Sequence, residues 1–180
     1  MSATPQSSVI EGHTGPSFSG ARPGADSIAA FRQILRSDVA RDFHDYWLSK
    51  CPPSGIPNRS DIRPVEIKQI LSSLLIWDYV PEIEANRVRL AGTALTDALP
   101  LDPSGFLNTE VLPHDWNEAI RNVGAAFYSE MRPLYFLLSL APFGRDHVRM
   151  EFVSYPLSSG KGEADMGIGV VSRVARAADA

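Results

Sequence analysis

The chain has few of the features that mark secreted or membrane-spanning proteins. Its 180 residues include a single cysteine, Cys51, so no disulfide can form within the chain, as is usual in a reducing compartment. No apolar run approaches the roughly 20 residues needed to span a bilayer. The N-terminus has neither the positive start nor the apolar core of a secretory signal. These absences predict a cytoplasmic protein with no membrane span.

Positive charge is also scarce. Lysine and arginine number 17 against 21 aspartates and glutamates, and the formal net charge is −4. No cluster of basic residues offsets this deficit. Because nucleic-acid binding depends on neutralising phosphates, we expect no nucleic-acid partner.

Motifs for catalysis and metal binding are missing as well. The four histidines are His13, His44, His114 and His147. None stands at zinc-ligand spacing from another histidine, a cysteine or a carboxylate, so no metal site is predicted. Neither Ser60 nor Ser104 lies in a Gly-x-Ser-x-Gly elbow. We therefore predict no catalytic residues and no enzymatic activity.

Composition and periodicity divide the chain into four parts. Residues 1–27 are rich in Ser, Thr, Gly and Pro and predict a disordered leader. Apolar residues at helical spacing predict an N-terminal helix over 28–50, and the pattern allows a break near Ser37. A compact domain over 51–174 and a tail over 175–180 follow. The apolar stripe of the helix must be buried on a partner copy or across the sheet, so we expect a homodimer.

The compact domain alternates strand and helix patterns. Strands are predicted at 73–80, 87–91, 134–141, 147–156 and 166–174, and a long amphipathic helix at 113–131. Short turn-rich links between consecutive strands favour antiparallel pairing. The predicted fold is α+β, with a five-stranded antiparallel sheet, helices packed on one face, and the N-terminal helix in addition.

Two motifs flank the first predicted strand, one over residues 57–64 and one over 87–93. The marked positions in this first half of the domain are Arg59, Asp61, Pro64, Leu71, Arg89, Gly92 and Thr93. Further marked positions in the second half are Gly105, Pro133, Gly144-Arg145, Glu151 and Pro156-Leu157. With the order of the elements, these resemble a family of small stand-alone bacterial PAS-domain proteins over residues 41–174. The resemblance implies a PAS fold and a non-enzymatic sensory or protein-interaction role in signalling, with output passed to a protein partner in trans.

The resemblance also marks four residues as a structural motif. Arg59 and Asp61 can clamp a loop through carbonyls and backbone amides, or can contact an anionic ligand or partner. Pro64 suits the first turn of a helix. Gly92 needs either a positive φ or a close backbone approach.

The cofactors found in PAS domains impose residue requirements. Haem often takes a histidine from the long helix, where this chain has only His114 at the very start. Flavin photochemistry and the chromophore of yellow photoactive proteins need a cysteine after the second strand, whereas Cys51 precedes the first. The cofactor is therefore left unknown, and non-covalent binding of a small organic ligand stays open.

A ligand cavity is expected between the 113–131 helix and the sheet. The residues predicted to line it are Trp77, Arg89, Trp116, Ile120, Tyr135 and Glu151. The fork of Arg89 would favour a carboxylate ligand. Alternatively, Arg89 lies on a solvated or salt-bridged face, and Glu151 pairs with an arginine or lies at the surface. A small ligand-binding enzyme and a purely structural dimerisation module are the alternative functions.

Overall fold

A six-stranded antiparallel sheet forms the centre of the structure, a computed structural model that describes residues 7–175. Its strands are β1 (Val9–Thr14), β2 (Leu74–Val80), β3 (Ala85–Ala91), β4 (Leu134–Leu140), β5 (Arg145–Leu157) and β6 (Met166–Val174). Across the sheet they follow the order β1-β4-β5-β6-β2-β3. The central strands are buried on both faces, which explains why β4 reads as an almost continuous apolar run.

Helices cover both faces of this sheet. They are α1 (Ala25–Ile34), α2 (Asp38–Lys50), α3 (Thr93–Thr96), α4 (Asn108–Val111) and α5 (His114–Tyr128), with a longer 3-10 segment at Pro64–Ser73. The N-terminal helices and the 3-10 segment share a core with Ile76, Tyr155 and Ile168 on one face. The helices that follow β3 pack on the opposite face, against residues such as Met150 and Phe136.

The predicted α+β class and antiparallel sheet are confirmed. The helices after β3 lie on one face as expected, and the N-terminal helices occupy the other. The five predicted strands are present, and β1 adds a sixth at the edge of β4. Among the described residues, no helix is long and apolar enough to cross a bilayer.

The prediction of a disordered leader is wrong for residues 7–27. Val9–Thr14 forms β1, and Phe18 is only 1% exposed, with its ring edge-on to Trp47 at 4.8 Å. Composition measures local preference alone, whereas this segment obtains its backbone partners from the edge of β4. Residues 1–6 of the predicted leader and 176–180 of the predicted tail lie outside the described residues.

The helix predicted over 28–50 is two helices, separated at residues 35–37. Ser37 is the N-cap of α2, where its hydroxyl accepts a hydrogen bond from the Ala40 amide at 3.1 Å. Phe31, Phe43 and Trp47 from the predicted apolar stripe are buried against the sheet of the same chain. The stripe therefore packs across the sheet, and it no longer supplies a reason to expect a homodimer.

Candidate ligand-binding cavity

A cavity of about 100 Å³ lies between α5 and the sheet. It is lined almost entirely by apolar and aromatic side chains, among them Trp77, Val88, Trp116, Ile120, Phe136 and Phe152. Helical spacing places Trp116, Ile120 and Phe127 on the side of α5 that faces the sheet. The position between helix and sheet is the one expected from the sequence.

Gly124 creates part of this space. It lies four residues after Ile120 on the same side of α5 and lines the cavity. A β-carbon placed at Gly124 would meet no atom within 4 Å. Glycine inside a helix costs roughly 0.5–1 kcal/mol relative to alanine. The helix thus carries a destabilising residue at the point where a side chain would fill the cavity.

A second glycine, Gly167, leaves room for the indole ring of Trp77, which forms part of the cavity wall. Gly167 on β6 is the cross-strand neighbour of Trp77, and any β-carbon there would overlap the indole ring. The indole can therefore lie across β6, where it stacks on Phe127 with ring centroids 5.9 Å apart. Its Nε1 donates a hydrogen bond to the Tyr128 hydroxyl at 2.9 Å.

Polar side chains form a hydrogen-bonded chain along one side of the cavity. The Tyr128 hydroxyl donates to Asn86 Oδ1, and the backbone amide of Asn86 donates to Asn108 Oδ1 at 2.7 Å. Asn108 Nδ2 in turn donates to Asn117 Oδ1 at 2.7 Å. Burial raises the pKa of Tyr128 well above its ordinary value, although the hydrogen bond from Trp77 opposes this, so the phenol stays neutral.

Among the described residues that line the cavity, Ser154 has a buried polar group without a hydrogen-bond partner. It lies on β5 with its side chain on the cavity face, and it is 1% exposed. Its Oγ makes no hydrogen bond to any residue that the structure describes. Gly169, its neighbour on β6, has no side chain to cover it. A buried hydroxyl without a partner is costly, because its bonds to water are lost and not replaced.

The N-terminal segment closes another side of the cavity. Val9 lines it, and Ser8 fastens the segment to the start of α5. The Ser8 amide donates to Asp115 Oδ2 at 2.7 Å, and the Ser8 hydroxyl accepts from Trp116 Nε1 at 2.8 Å. The Ser139 amide on β4 donates to the Ser8 carbonyl at 2.7 Å. We call residues 8–14 the strap.

Three of the six residues predicted to line the cavity do so, namely Trp77, Trp116 and Ile120. Arg89 does not, and its predicted place in the wall is wrong. Its side chain is 60% exposed and forms an ion pair with Asp78. Asn86 and Val88 are the β3 residues that line the cavity, and alternation places the side chain of Arg89 on the opposite face. Arg89 instead occupies the alternative place given in the sequence analysis, on a solvated face where it forms a salt bridge.

Tyr135 and Glu151 also lie on the opposite face of the sheet, so their predicted place in the cavity wall is wrong. Glu151 is fully buried, and its carboxylate accepts hydrogen bonds from the backbone amides of Arg36 and Ser37 at 2.5 and 3.0 Å. Its partners are therefore amides of the α1–α2 linker and the Ser172 hydroxyl, which donates to Oε2 at 3.3 Å, and neither Arg89 nor Arg59 pairs with it. Tyr135 is buried on that face, and burial, with the nearby Glu151 carboxylate, raises its pKa to about 12.

Of the four structural-motif residues, Arg59 and Asp61 make the contacts of a local clamp. Arg59 Nη1 donates to the Ile62 carbonyl at 3.2 Å, and Asp61 Oδ2 accepts from the Asn58 amide at 2.8 Å. Pro64 is the first residue of the 3-10 segment. Gly92 has a φ of −71°, and a β-carbon there would overlap the backbone of Ser72. Of the two expected reasons for Gly92, close backbone approach is therefore the observed one.

The far face of the sheet holds a second set of buried polar groups. His44 Nδ1 lies 2.9 Å from the Tyr155 hydroxyl, and His44 Nε2 is buried without a partner. Burial lowers the pKa of His44 to about 4, so the ring is neutral near pH 7. Within residues 7–175, no group of three or more His, Cys, Asp or Glu side chains is placed to hold a metal ion.

Comparison with known proteins decides the family. A family model described as a PAS domain matches residues 35–172, which is well over half of the chain. The chain belongs to the PAS-domain family. The match begins before α2, so that helix is part of the PAS match and the predicted domain start at residue 51 is too late.

Two solved structures are similar to this PAS domain. One is a light-oxygen-voltage domain studied with a flavin analogue, at 15% identity and a TM-score of 0.41, covering 62% of this chain and 84% of that chain. The other is an RNA-binding light-oxygen-voltage receptor, at 16% identity and a TM-score of 0.43, covering 93% of this chain and 39% of that one. No curated protein matches the chain significantly.

The residues of this PAS domain do not fit a flavin or a haem. A cavity of about 100 Å³ is far smaller than the roughly 300–1,000 Å³ of pockets for larger ligands. Among the described residues that line it, none is a cysteine, a histidine or a cation. Cys51 follows α2 on the other face of the sheet, and burial raises the pKa of its thiol to about 12. The described lining offers neither a thiolate for a photoadduct nor a histidine for haem iron.

Sequence reasoning missed the polar features of the cavity. Ser154 interrupts an otherwise apolar stretch of β5, and Gly124 interrupts the helix pattern of α5. Both interruptions are visible in the sequence as departures from the surrounding pattern. Asn86 and Ser8 gave no such signal, because their partners are distant in the chain.

Proposed function

We propose that this PAS domain is a non-enzymatic sensory module that binds a small organic ligand in the cavity between α5 and the sheet. The single observation that carries the proposal is the apolar cavity with the buried, unpartnered Ser154 hydroxyl in its wall. A filled structural core would leave no such space beside the hydroxyl. No base lies in hydrogen-bonding reach of that hydroxyl among the described residues, which argues against a nucleophile.

β5 supplies a physical route from the cavity to the surface. Successive side chains on a strand point to opposite faces, so Phe152 and Ser154 face the cavity while Glu151 faces the N-terminal helices. Glu151 holds the amides at residues 36 and 37, between α1 and α2. A ligand that displaces Phe152 or Ser154 would move the carboxylate that fixes this linker. The strap offers a second route, because Val9 also touches the cavity.

The output of this module is proposed to pass to a protein partner in trans, through the N-terminal helices or the strap. Homodimer formation and a cytoplasmic location are kept as parts of the proposal. Light scattering on the purified chain at tens of micromolar tests for the homodimer. A measured mass equal to that of one chain would contradict this part of the proposal.

A cavity-filling variant tests the sensory function. Gly124→Leu would place a side chain in the cavity and mimic the bound state, whereas Ala125→Leu puts the same side chain on the exposed side of α5. Hydrogen exchange measured by mass spectrometry should change in the strap and in residues 35–37 for Gly124→Leu alone. Identical exchange in the two variants outside α5 would contradict signalling and favour a structural module.

A further inference from the structure

We infer that the cavity selects a small neutral molecule with an apolar body of about benzene size and one hydroxyl or carbonyl group, which hydrogen-bonds to Ser154. This inference rests on the proposed sensory function and names the class of ligand that it would detect. Three properties of the cavity lead to it, namely its volume, its lack of charge and its single orphan hydroxyl.

Volume sets the size of the ligand. A water molecule takes roughly 30 Å³ in the liquid, and an apolar protein cavity of roughly 150 Å³ accepts benzene. At about 100 Å³, the present cavity is close to that class. Part of this volume lies beside the bare backbone of Gly124. A single ring or a short aliphatic chain therefore fits, and a dinucleotide or a tetrapyrrole does not.

Charge decides between neutral and ionised ligands. Among the described residues that line the cavity, none carries a charged side chain. Arg89, the residue expected to bind a carboxylate, is on the other face and already paired with Asp78. An ion moved into this apolar wall would lose its hydration without gaining a counter-charge. The sequence led us to expect a carboxylate ligand, whereas the cavity lining favours a neutral one.

Ser154 supplies the specificity. Its hydroxyl can both donate and accept, so it suits an alcohol, a phenol or a carbonyl equally. The asparagines and Tyr128 along the same wall are already engaged with one another. A ligand that reaches Ser154 gains one buried hydrogen bond and relieves an unpaired group, whereas a hydrocarbon of the same size gains neither.

The test uses three compounds of similar size on the full chain, namely phenol, toluene and benzoate at pH 7. Isothermal titration calorimetry should show phenol binding about threefold to tenfold more tightly than toluene, the difference expected for one neutral hydrogen bond. Benzoate is ionised at this pH and should not bind detectably. Ser154→Ala should weaken phenol to the level of toluene and leave toluene unchanged. Ser129→Ala, an exposed serine after α5, is the matched control and should change nothing.

Gly124→Leu should abolish binding of phenol and toluene, and Ala125→Leu should not. Benzoate binding as tightly as phenol, phenol binding unaffected by Ser154→Ala, or no binding of either neutral compound would each overturn the inference. The proposed sensory function is judged separately, by the exchange difference between Gly124→Leu and Ala125→Leu. If that difference is present while the binding pattern fails, the ligand class is wrong and the sensory function stands.

Discussion

Gly92 and Gly124 have opposite surroundings. A β-carbon at Gly92 would overlap the Ser72 carbonyl and come within 2.8 Å of the Leu71 carbonyl, whereas one at Gly124 would meet nothing within 4 Å. We expect Gly92→Ala to lower the free energy of unfolding by about 1–3 kcal/mol, because backbone must move. Gly124→Ala should raise it by about 0.5–1 kcal/mol through helix propensity. Urea denaturation of both variants checks the pair, and equal effects of the same sign would contradict this account.

His44 makes stability depend on pH. Its pKa is lowered by burial to about 4, against about 6.5 in the unfolded chain. Between these values the unfolded chain binds more protons than the folded protein. The contribution of neutral His44 to the free energy of unfolding is therefore complete above about pH 6.5 and is lost as the pH falls to about 4. The loss should reach about 3 kcal/mol. His44→Gln should flatten the dependence of the unfolding free energy over this range, and an unchanged slope would show that other groups cause it.

At the scale of elements, the strap is held by its pairing with β4 and by hydrogen bonds from Ser8 to the start of α5. Asp115 receives hydrogen bonds from both the amide and the hydroxyl of Ser8, and it lies at the start of α5. Asp115→Ala removes this acceptor and should raise amide exchange in residues 9–14 several-fold, while the β5 and β6 amides keep their protection. Glu118→Ala on the exposed side of the same helix is the control. Equal amide exchange of the strap in the two variants would show that pairing with β4 is sufficient to protect the strap without the Asp115 hydrogen bonds.

The two N-terminal helices are joined by a linker that depends on the sheet. Leu35 and Ser37 have extended backbone, and the amides of residues 36 and 37 find an acceptor in Glu151, which is more than a hundred residues away in the chain. The Ser37 hydroxyl also contacts Ser172 on β6 at 2.8 Å. Periodicity alone allows a break near Ser37 but does not require one, because the acceptor that stabilises the break is not local.

At the scale of the whole molecule, residues 8–18 contact both faces of the sheet. Val9 lines the cavity, Phe18 packs on Trp47 on the far face, and β1 pairs with β4. Deleting residues 1–18 should lower the melting temperature and increase self-association, because it opens the β4 edge and exposes apolar surface. Differential scanning fluorimetry with light scattering measures both effects. A truncated chain that melts like the full chain and stays monodisperse would contradict this role.

The sequence by itself determined the type and order of most elements. Strands from β2 to β6 and helix α5 follow from apolar periodicity, which is a local property. The motifs around Arg59 and Gly92 are also local, and together with the order of the elements they were sufficient to indicate the PAS family. The need for glycine at position 92 was also predicted, as either a positive φ or a close backbone approach, and the close approach is the one observed.

Only the tertiary structure decided which faces meet and what lies between them. A shift of one residue reverses the face of every side chain on a strand, so alternation could not tell that Val88 faces the cavity and Arg89 faces away. The sixth strand depends on a free edge of β4, and the unpaired Ser154 hydroxyl is recognised only when its surroundings are known. These features arise from contacts between distant residues, and local sequence patterns carry no record of such contacts.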